Sequence, residues 1–592
     1  MMRRTPCSLL FLAALACSAF AQQPVDAPII ALNDLKPGQH GEVWTVFRGT
    51  EPEPFAVEVT GVLRNALGPG KSLIVCQLTD DRVQNMGAVA GMSGSPLYIE
   101  GKLAGALSYQ IQRFETVRFA GFTPAADLAE VRDRTHAQPA NLAAVPLSDS
   151  PYKSLQPVFT LGGLSPVVAD LFAPRFAALG LATTALGGST QGSAGAQPAV
   201  AKLQSQDQEL AAPKAPTLQP GGAVAVALAT GDITLAGTGT VSRVDGADIT
   251  AFGHPMLSLG NVELPMCAAE IVTILPSQMS SMKIANTGQV IGTITQDRLS
   301  AVSGTLGDGP KMTDVQVTVK RANGAARTLR FSVARQQQLT PLLVAAGVSQ
   351  AILGSNDAGL AKGFRLSSNV SFPAEQKLSF QTLYSGPQGF AQGLNEFVQG
   401  LAANLQNPYA KTFPDHVAFA VEPLEDNPAV TLDMFQLSRT TARAGETVQV
   451  TLAWRNWQGD ANRQVIDLAV DPAWAGKQLE VVLAPGRALD EMTGRPRVIS
   501  ASELRSFEAY LAAMRDDRPT DGVCIAVVEK TALFSDQTVA TPDAPGSIER
   551  IARASDQARF RKRDALLPLW EIHVLDGKLL NTIVRRPLKV IE

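Results

Sequence analysis

Gly91-Met92-Ser93-Gly94-Ser95-Pro96, running on into Leu97-Tyr98-Ile99-Glu100-Gly101-Lys102-Leu103-Ala104-Gly105-Ala106-Leu107-Ser108, decides how this chain is read. An attacking serine needs a tight backbone turn, small neighbours that let a substrate approach, and N–H donors for the charge developing on the substrate oxygen. Gly91 and Gly94 permit conformations that residues with side chains resist, and Pro96 ends the turn as a strand begins. Ser93 is then the nucleophile, and the backbone N–H groups of Gly91 and Ser93 are the natural oxyanion hole. Most Gly/Ser-rich turns merely join two strands. The hairpin that follows, and a histidine farther along, favour chemistry here.

Outward from the turn, residues 40–110 alternate short β-rich runs with turns: Gly41 to Phe47, Phe55 to Leu63, Ser72 to Leu78 and Pro96 to Tyr109. Val158 to Leu161 reads as a strand, and Ser165-Pro166 opens a helix through Leu179, because Ser caps and Pro suits a first turn. Residues 187–220, rich in Gly, Ser, Ala, Gln and Pro without periodicity, read as a linker or long loop. Strands resume from Ala223 to Val333, with turns at Asp245-Gly246 and Asn323-Gly324. A mixed region beyond Leu342 carries an expected helix from Gly389 to Leu405. Sandwich strands follow at Thr447 to Trp454, Gln464 to Val470 and Gln478 to Leu483, then a helix from Ser502 to Arg515. A closing hairpin is expected from Leu569 to Leu575, an Asp576-Gly577 turn, and Lys578 to Val584.

Bulk properties limit the function classes. The chain has 592 residues, past the ~250–300 at which single cores stop growing, so several domains are expected. With 45% hydrophobic and 18% charged residues it can bury real cores. Lys+Arg at 51 against Asp+Glu at 54 leaves no excess cation to neutralise a phosphate backbone, so no nucleic-acid partner is expected. Arg3 and Arg4, the apolar run Ser8 to Cys17, and Ala19-Phe20-Ala21 read as an export signal cleaved after Ala21. That run is about a dozen residues, short of the ~20 that span a bilayer, and no transmembrane helix is expected after cleavage. Cys17 raises lipid attachment, but Ala14 stands where a lipobox prefers Leu. The expected location is periplasmic or extracellular. Cys76, Cys267 and Cys524 are odd in number and scattered, which excludes a disulfide scaffold, and no Cys/His spacing suggests a metal or other cofactor.

A serine hydroxyl needs a neutral imidazole within hydrogen-bond reach. Of His40, His136, His254, His416 and His573, His254 is the best placed: Ile249 to Phe252 is an apolar strand, and Gly253 and Pro255 fix the turn at its end. The others read as surface or packing residues. For the third member, Asp80 and Asp81 after the strand ending at Leu78 are the nearest carboxylates, and Asp297 is the rival.

The hexapeptide and its hairpin resemble the nucleophile hairpin of chymotrypsin-like peptidases and lack the strand-turn-helix elbow of α/β-hydrolases. Together with Leu35-Lys36-Pro37-Gly38, Val46-Phe47-Arg48-Gly49-Thr50 and Ala251-Phe252-Gly253-His254-Pro255, they resemble the SpoIVB (stage IV sporulation protein B) serine peptidase family, over roughly residues 30–130 and 220–335. The resemblance implies a two-barrel endopeptidase with Ser93 as nucleophile, His254 as base and Asp80 as acid across a small gap. It also implies exchanged barrels, because in the sporulation protein the histidine half comes first.

The fold class expected is mainly β: two chymotrypsin-like β-barrels in permuted order, a small αβ insert and a C-terminal β-sandwich-like domain. The divisions are 1–21 signal peptide, 30–150 serine-bearing barrel, 151–220 insert and linker, 221–340 histidine-bearing barrel, 341–415 connecting region and 416–592 accessory domain. Protein or peptide substrates are expected. The competing expectation is a non-catalytic exported binding protein that keeps a peptidase-like fold.

Overall fold

In the computed structural model the described residues run from 23 to 592, other than 25, 112–116, 137–151, 156, 158, 186–187, 190–217, 278–280, 321–325, 355–361, 375, 387–392, 394–397, 403–404, 406–411, 494–506, 508–510, 512–517, 536–539, 543–546, 548–549 and 551–560. The expected export signal, the Asn323-Gly324 turn, most of the 187–220 linker and most of the two helices expected at 389–405 and 502–515 lie outside them.

Six strands form the first barrel: β1 (His40–Thr45), β2 (Glu53–Leu63), β3 (Leu73–Leu78), β4 (Pro96–Ile99), β5 (Lys102–Ile111) and β6 (Phe119–Pro124). Their order is β4-β1-β2-β3-β6-β5, and β5 pairs back on β4, so the sheet closes; β7 (Tyr152–Ser154) adds to β5. Closure follows from alternation. Phe55, Val57 and Val59 point inward from β2 and meet Ile74, Cys76, Leu97 and Phe122 in one core. The β4–β5 hairpin turns on Glu100 and Gly101, whose φ values of 51° and 75° are what a two-residue hairpin of matching twist requires. Two short helices were not legible in the sequence: α1 (Asp81–Met86) after β3, and α2 (Ala125–Arg132) after β6.

The segment between the barrels holds β8 (Phe159–Gly162), α3 (Pro166–Ala178) and the two-residue β9 (Thr183–Thr184) and β10 (Gly188–Ser189). The helix begins at Pro166 as Ser165-Pro166 predicts, but Ser165 caps nothing with its side chain. Its N–H instead donates to Gln350 Oε1 at 2.8 Å.

The second barrel comprises β11 (Ala223–Gly231), β12 (Thr234–Asp245), β13 (Asp248–Ala251), β14 (Gly260–Leu275), β15 (Met282–Arg298) and β16 (Ala301–Leu306). Its order is β11-β14-β15-β16-β13-β12, and the β11–β12 pairing closes the ring. The sheet then runs on from β11 through β18 (Ala326–Ala334), β17 (Met312–Lys320), β21 (His416–Pro423), β19 (Phe364–Ser371) and β20 (Lys377–Tyr384). Helix α4 (Leu339–Leu353) packs on β17, β18 and α3 with nearly every residue buried. Each large side chain there contributes about 1.5–3 kcal/mol by leaving water.

At the C-terminal end, strands 430–437, 447–456 and 461–469 form one sheet. Strands 441–443, 478–484, 523–535, 540–542, 561–574 and 584–591 form another, and the two share one core around Leu452, Leu468, Val481 and Ile525. The closing hairpin differs from expectation. Residues 578–583 form no extended strand; Leu579 bridges instead to Ala429 and Gly522, and the last strand begins at Val584. Asp521 explains the difference, because its carboxylate takes the Gly577 N–H at 2.9 Å and fixes the turn toward that neighbour. The chain is mainly β, with two closed six-stranded barrels of which the serine-bearing one comes first.

Candidate active site

The 91–96 turn leaves the first barrel and is gripped by the second. Gly91 and Gly94 have φ values of 96° and 95°, the region that favours glycine. Inside the turn, Met92 N–H donates to Val89 O (2.9 Å) and Ser95 N–H to Met92 O (3.0 Å); Gly94 N–H reaches Leu107 O on β5 (2.7 Å). From β12, Thr240 N–H donates to Ser93 O (2.8 Å), Thr240 Oγ1 to Gly91 O (3.0 Å) and Ser242 Oγ to Gly94 O (2.8 Å). A methyl group at Gly94 would come within 2.0 Å of Thr240 O and 2.4 Å of Phe252 N, so the two barrels touch there through bare backbone. Among the described residues the Gly91 and Ser93 N–H groups donate to no other group, while those of Met92, Gly94 and Ser95 are engaged.

The histidine turn is held in the reverse sense. After β13, Phe252 and Gly253 both take left-handed backbone, φ 68° and 66°. For a phenylalanine this costs on the order of 1–2 kcal/mol. Packing sustains it: the Phe252 ring is buried against Gly239, where a Cβ would lie 2.7 Å from the ring. Thr123 Oγ1, on β6 of the first barrel, donates to Gly253 O at 2.7 Å and lies 2.8 Å from Ser108 Oγ. His254 follows, fully buried, with Nδ1 2.7 Å from Pro255 O and the Leu155 carbonyl facing the same ring. Burial lowers its pKa to about 4, against the two carbonyls that favour the charged form. The imidazole is therefore neutral, with Nδ1 facing the Pro255 carbonyl.

Ser93 Oγ and His254 Nε2 are both buried, and neither has a hydrogen-bond partner among the described residues. Buried polar atoms normally find partners. The two atoms do not hydrogen-bond each other, although their turns abut where Gly94 meets Phe252.

The acids fall elsewhere. Asp80 caps α1, accepting from Arg82 N at 2.9 Å, and its carboxylate takes the Arg82 guanidinium at 3.1 and 3.0 Å. Arg82 holds that carboxyl below its ordinary range and itself stacks 4.4 Å over the Phe47 ring. Asp81 stands in the first turn of α1. The capping turn commits Asp80 to the helix. Asp297, fully buried on β15, accepts the N–H groups of Met256 (2.7 Å), Leu257 (2.8 Å) and Leu259 (3.1 Å). Burial raises its carboxyl against those bonds. It orients the loop that carries His254 rather than the imidazole, whose Nδ1 goes to Pro255 O. Thr240, Ser242 and Thr123 are small hydroxyl residues on strands, and nothing in the sequence marks them. Among the described residues no group of His, Cys, Asp or Glu is arranged as metal ligands, and no helix is long and apolar enough to cross a membrane.

Two closed barrels meeting at a glycine-flanked serine and a neutral histidine define a chymotrypsin-like architecture. The model of the SpoIVB peptidase S55 family matches residues 17–114, and over that stretch the resemblance read from the sequence is borne out. The match takes in Ser93 and both strands of its hairpin and stops short of the histidine-bearing barrel. No curated protein and no solved structure matches the chain.

Proposed function

We propose that this chain is an exported serine endopeptidase of the SpoIVB kind, acting through Ser93 and His254. The observation that carries the reading is the pair of unpartnered buried atoms, Ser93 Oγ and His254 Nε2, on turns each clamped by the opposite barrel. His254 Nε2 takes the Ser93 proton as Oγ attacks the peptide carbonyl carbon. The carbonyl electrons move to oxygen, and the Gly91 and Ser93 N–H groups receive that charge. On collapse His254 returns the proton to the leaving amine, and water later hydrolyses the acyl-enzyme by the same route. Pro255 O takes the orienting part usually given to an acid, and Asp297 fixes the loop behind it.

One observation favours a second reading, a non-catalytic exported binding protein of the same fold: Ser93 and His254 are both wholly inaccessible. Labelling by a serine-directed fluorophosphonate separates the two. The peptidase reading expects labelling of the wild type that disappears in Ser93→Ala and nearly so in His254→Ala. Folded wild-type protein that takes no label overturns it in favour of the binding protein.

A further inference from the structure

Beside the 91–96 turn lies a buried titratable group that the mechanism above does not use. Lys283, at the start of β15, is 2% exposed, and its Nζ donates to Thr45 Oγ1 at 2.9 Å. An ammonium has three N–H bonds to place, and a buried one that is poorly partnered is expensive. A methionine would fill the same space without that cost, so the amine needs a reason. Burial lowers its pKa to about 7, and no carboxylate opposes that fall.

Its surroundings supply the reason. The stem of Lys283 lies along the nucleophile turn: a Cβ at Gly91 would meet Lys283 Cβ at 2.9 Å and its Cγ and Cδ at 3.2 Å. Its main-chain N–H donates to Ala90 O at 2.9 Å, and Ala90 N–H donates to Ser281 O at 2.9 Å, so residue 90 is pinned from both sides. Thr45 ends β1, whose register against β4 pairs Val43 with Leu97. Continued by two residues, that register brings Thr45 to the level of Ser95. Lys283 thus spans the turn from the Gly91 side to the Ser95 side, and it comes from the other barrel.

We propose that Lys283 is a positioning residue for the oxyanion hole: its stem against Gly91 and its amine on Thr45 fix the direction of the Gly91 N–H relative to Ser93. This rests on the peptidase reading. A fluorophosphonate tests it without a known substrate, because Ser93 Oγ bonds to phosphorus, the P–F bond breaks, fluoride leaves, the serine proton passes to His254, and the phosphoryl oxygen takes the place of the oxyanion. The maximal labelling rate reports the hole, and the half-saturating concentration reports binding. A donor misplaced by about 1 Å costs on the order of 100-fold. For the full chain, Lys283→Ala should lower the maximal rate about 100-fold, and Lys283→Met, which keeps the stem, about tenfold. Half-saturation and final stoichiometry should stay at wild-type values, whereas a merely structural defect lowers the stoichiometry. Thr45→Val should match Lys283→Met, and the double variant should be no worse than either. If Lys283→Ala does not fold, the Met and Val variants still decide. A wild-type maximal rate in Lys283→Met, a loss confined to half-saturation, or losses that multiply in the double variant overturn the proposal alone. Failure of the wild type to label overturns it together with the peptidase reading.

Discussion

Gly94→Ala is the sharpest single perturbation the interface offers. The added methyl would lie 2.0 Å from Thr240 O, 2.4 Å from Phe252 N and 3.0 Å from Phe252 Cα, all backbone atoms that no rotamer change can move. Bringing the worst contact to about 3 Å needs the turn and β12 to part by roughly 1 Å, an overpacking that costs about 1–3 kcal/mol. The φ of 95° adds about 1–2 kcal/mol for a residue with a side chain. Stability should fall by about 2–5 kcal/mol, read as a lower urea midpoint. The same 1 Å separates the Ser93 turn from the His254 turn, so the fluorophosphonate labelling rate should drop on the order of 100-fold. Gly101→Ala is the internal control. Its φ of 75° is also left-handed, but nothing lies within 4 Å of the new methyl. It should lose about 1–2 kcal/mol and label at the wild-type rate. A Gly94→Ala variant with the wild-type midpoint and labelling rate would refute the idea that bare backbone contact between the barrels aligns the site.

Asp297→Asn should free the 256–259 loop and slow labelling at least tenfold, whereas Asp80→Ala should cost about 1 kcal/mol of helix capping and leave the labelling rate unchanged; a silent Asp297→Asn with a slow Asp80→Ala would restore Asp80 as the working acid. His254 falls from 6.5 to about 4 on folding, so its neutral form persists in acid and, on the peptidase reading, the acid limb of the labelling rate should lie near pH 4, not 6.5. The folded state binds the proton less readily, so the stability contribution is present above pH 6.5 and is lost as pH falls toward 4, by roughly 3 kcal/mol; urea midpoints of the wild type and His254→Gln across that window check the sign. Lys283 falls from 10.5 to about 7, so stability should rise with pH between those values, and Lys283→Met should flatten the rise. The stretch Met86 to Ala90 before the turn has no carboxylate, and the Lys283 main chain bonds Ala90, so a peptide library should show cuts after small or apolar residues and not after Lys or Arg.

Much of this was legible because local rules carried it. Alternation in Glu53–Leu63 and Thr447–Asn456, the Glu100-Gly101 turn and the Ser165-Pro166 helix start are contained in neighbouring letters. The 91–96 turn was legible for the same reason: Gly91 and Gly94 are demanded by backbone angles that only their own positions set. What stayed hidden is non-local. Helix α1 is six residues long, too short for periodicity to show, and it alone turns Asp80 from a free carboxylate into a cap. Asp297 meets its loop across some forty positions, Lys283 meets Thr45 across 238, and Thr123 meets Gly253 across 130. No spacing rule reaches that far.

Those long-range bonds also make the site indifferent to the order of the barrels along the chain. If the serine turn and the histidine turn were each held by their own barrel, joining the barrels the other way round would leave their mutual placement to a linker and a greasy interface. Here the serine turn is fixed by Thr240 and Ser242 of the second barrel, and the histidine turn by Thr123 of the first. Lys283 and Thr45 tie the same seam from its other side. Each of these contacts joins a strand of one closed ring to a turn or strand of the other, and none depends on which ring is made first. The chain can therefore enter the assembly at either barrel, because the geometry of the site is set by reciprocal clamps between the barrels and not by the peptide that connects them.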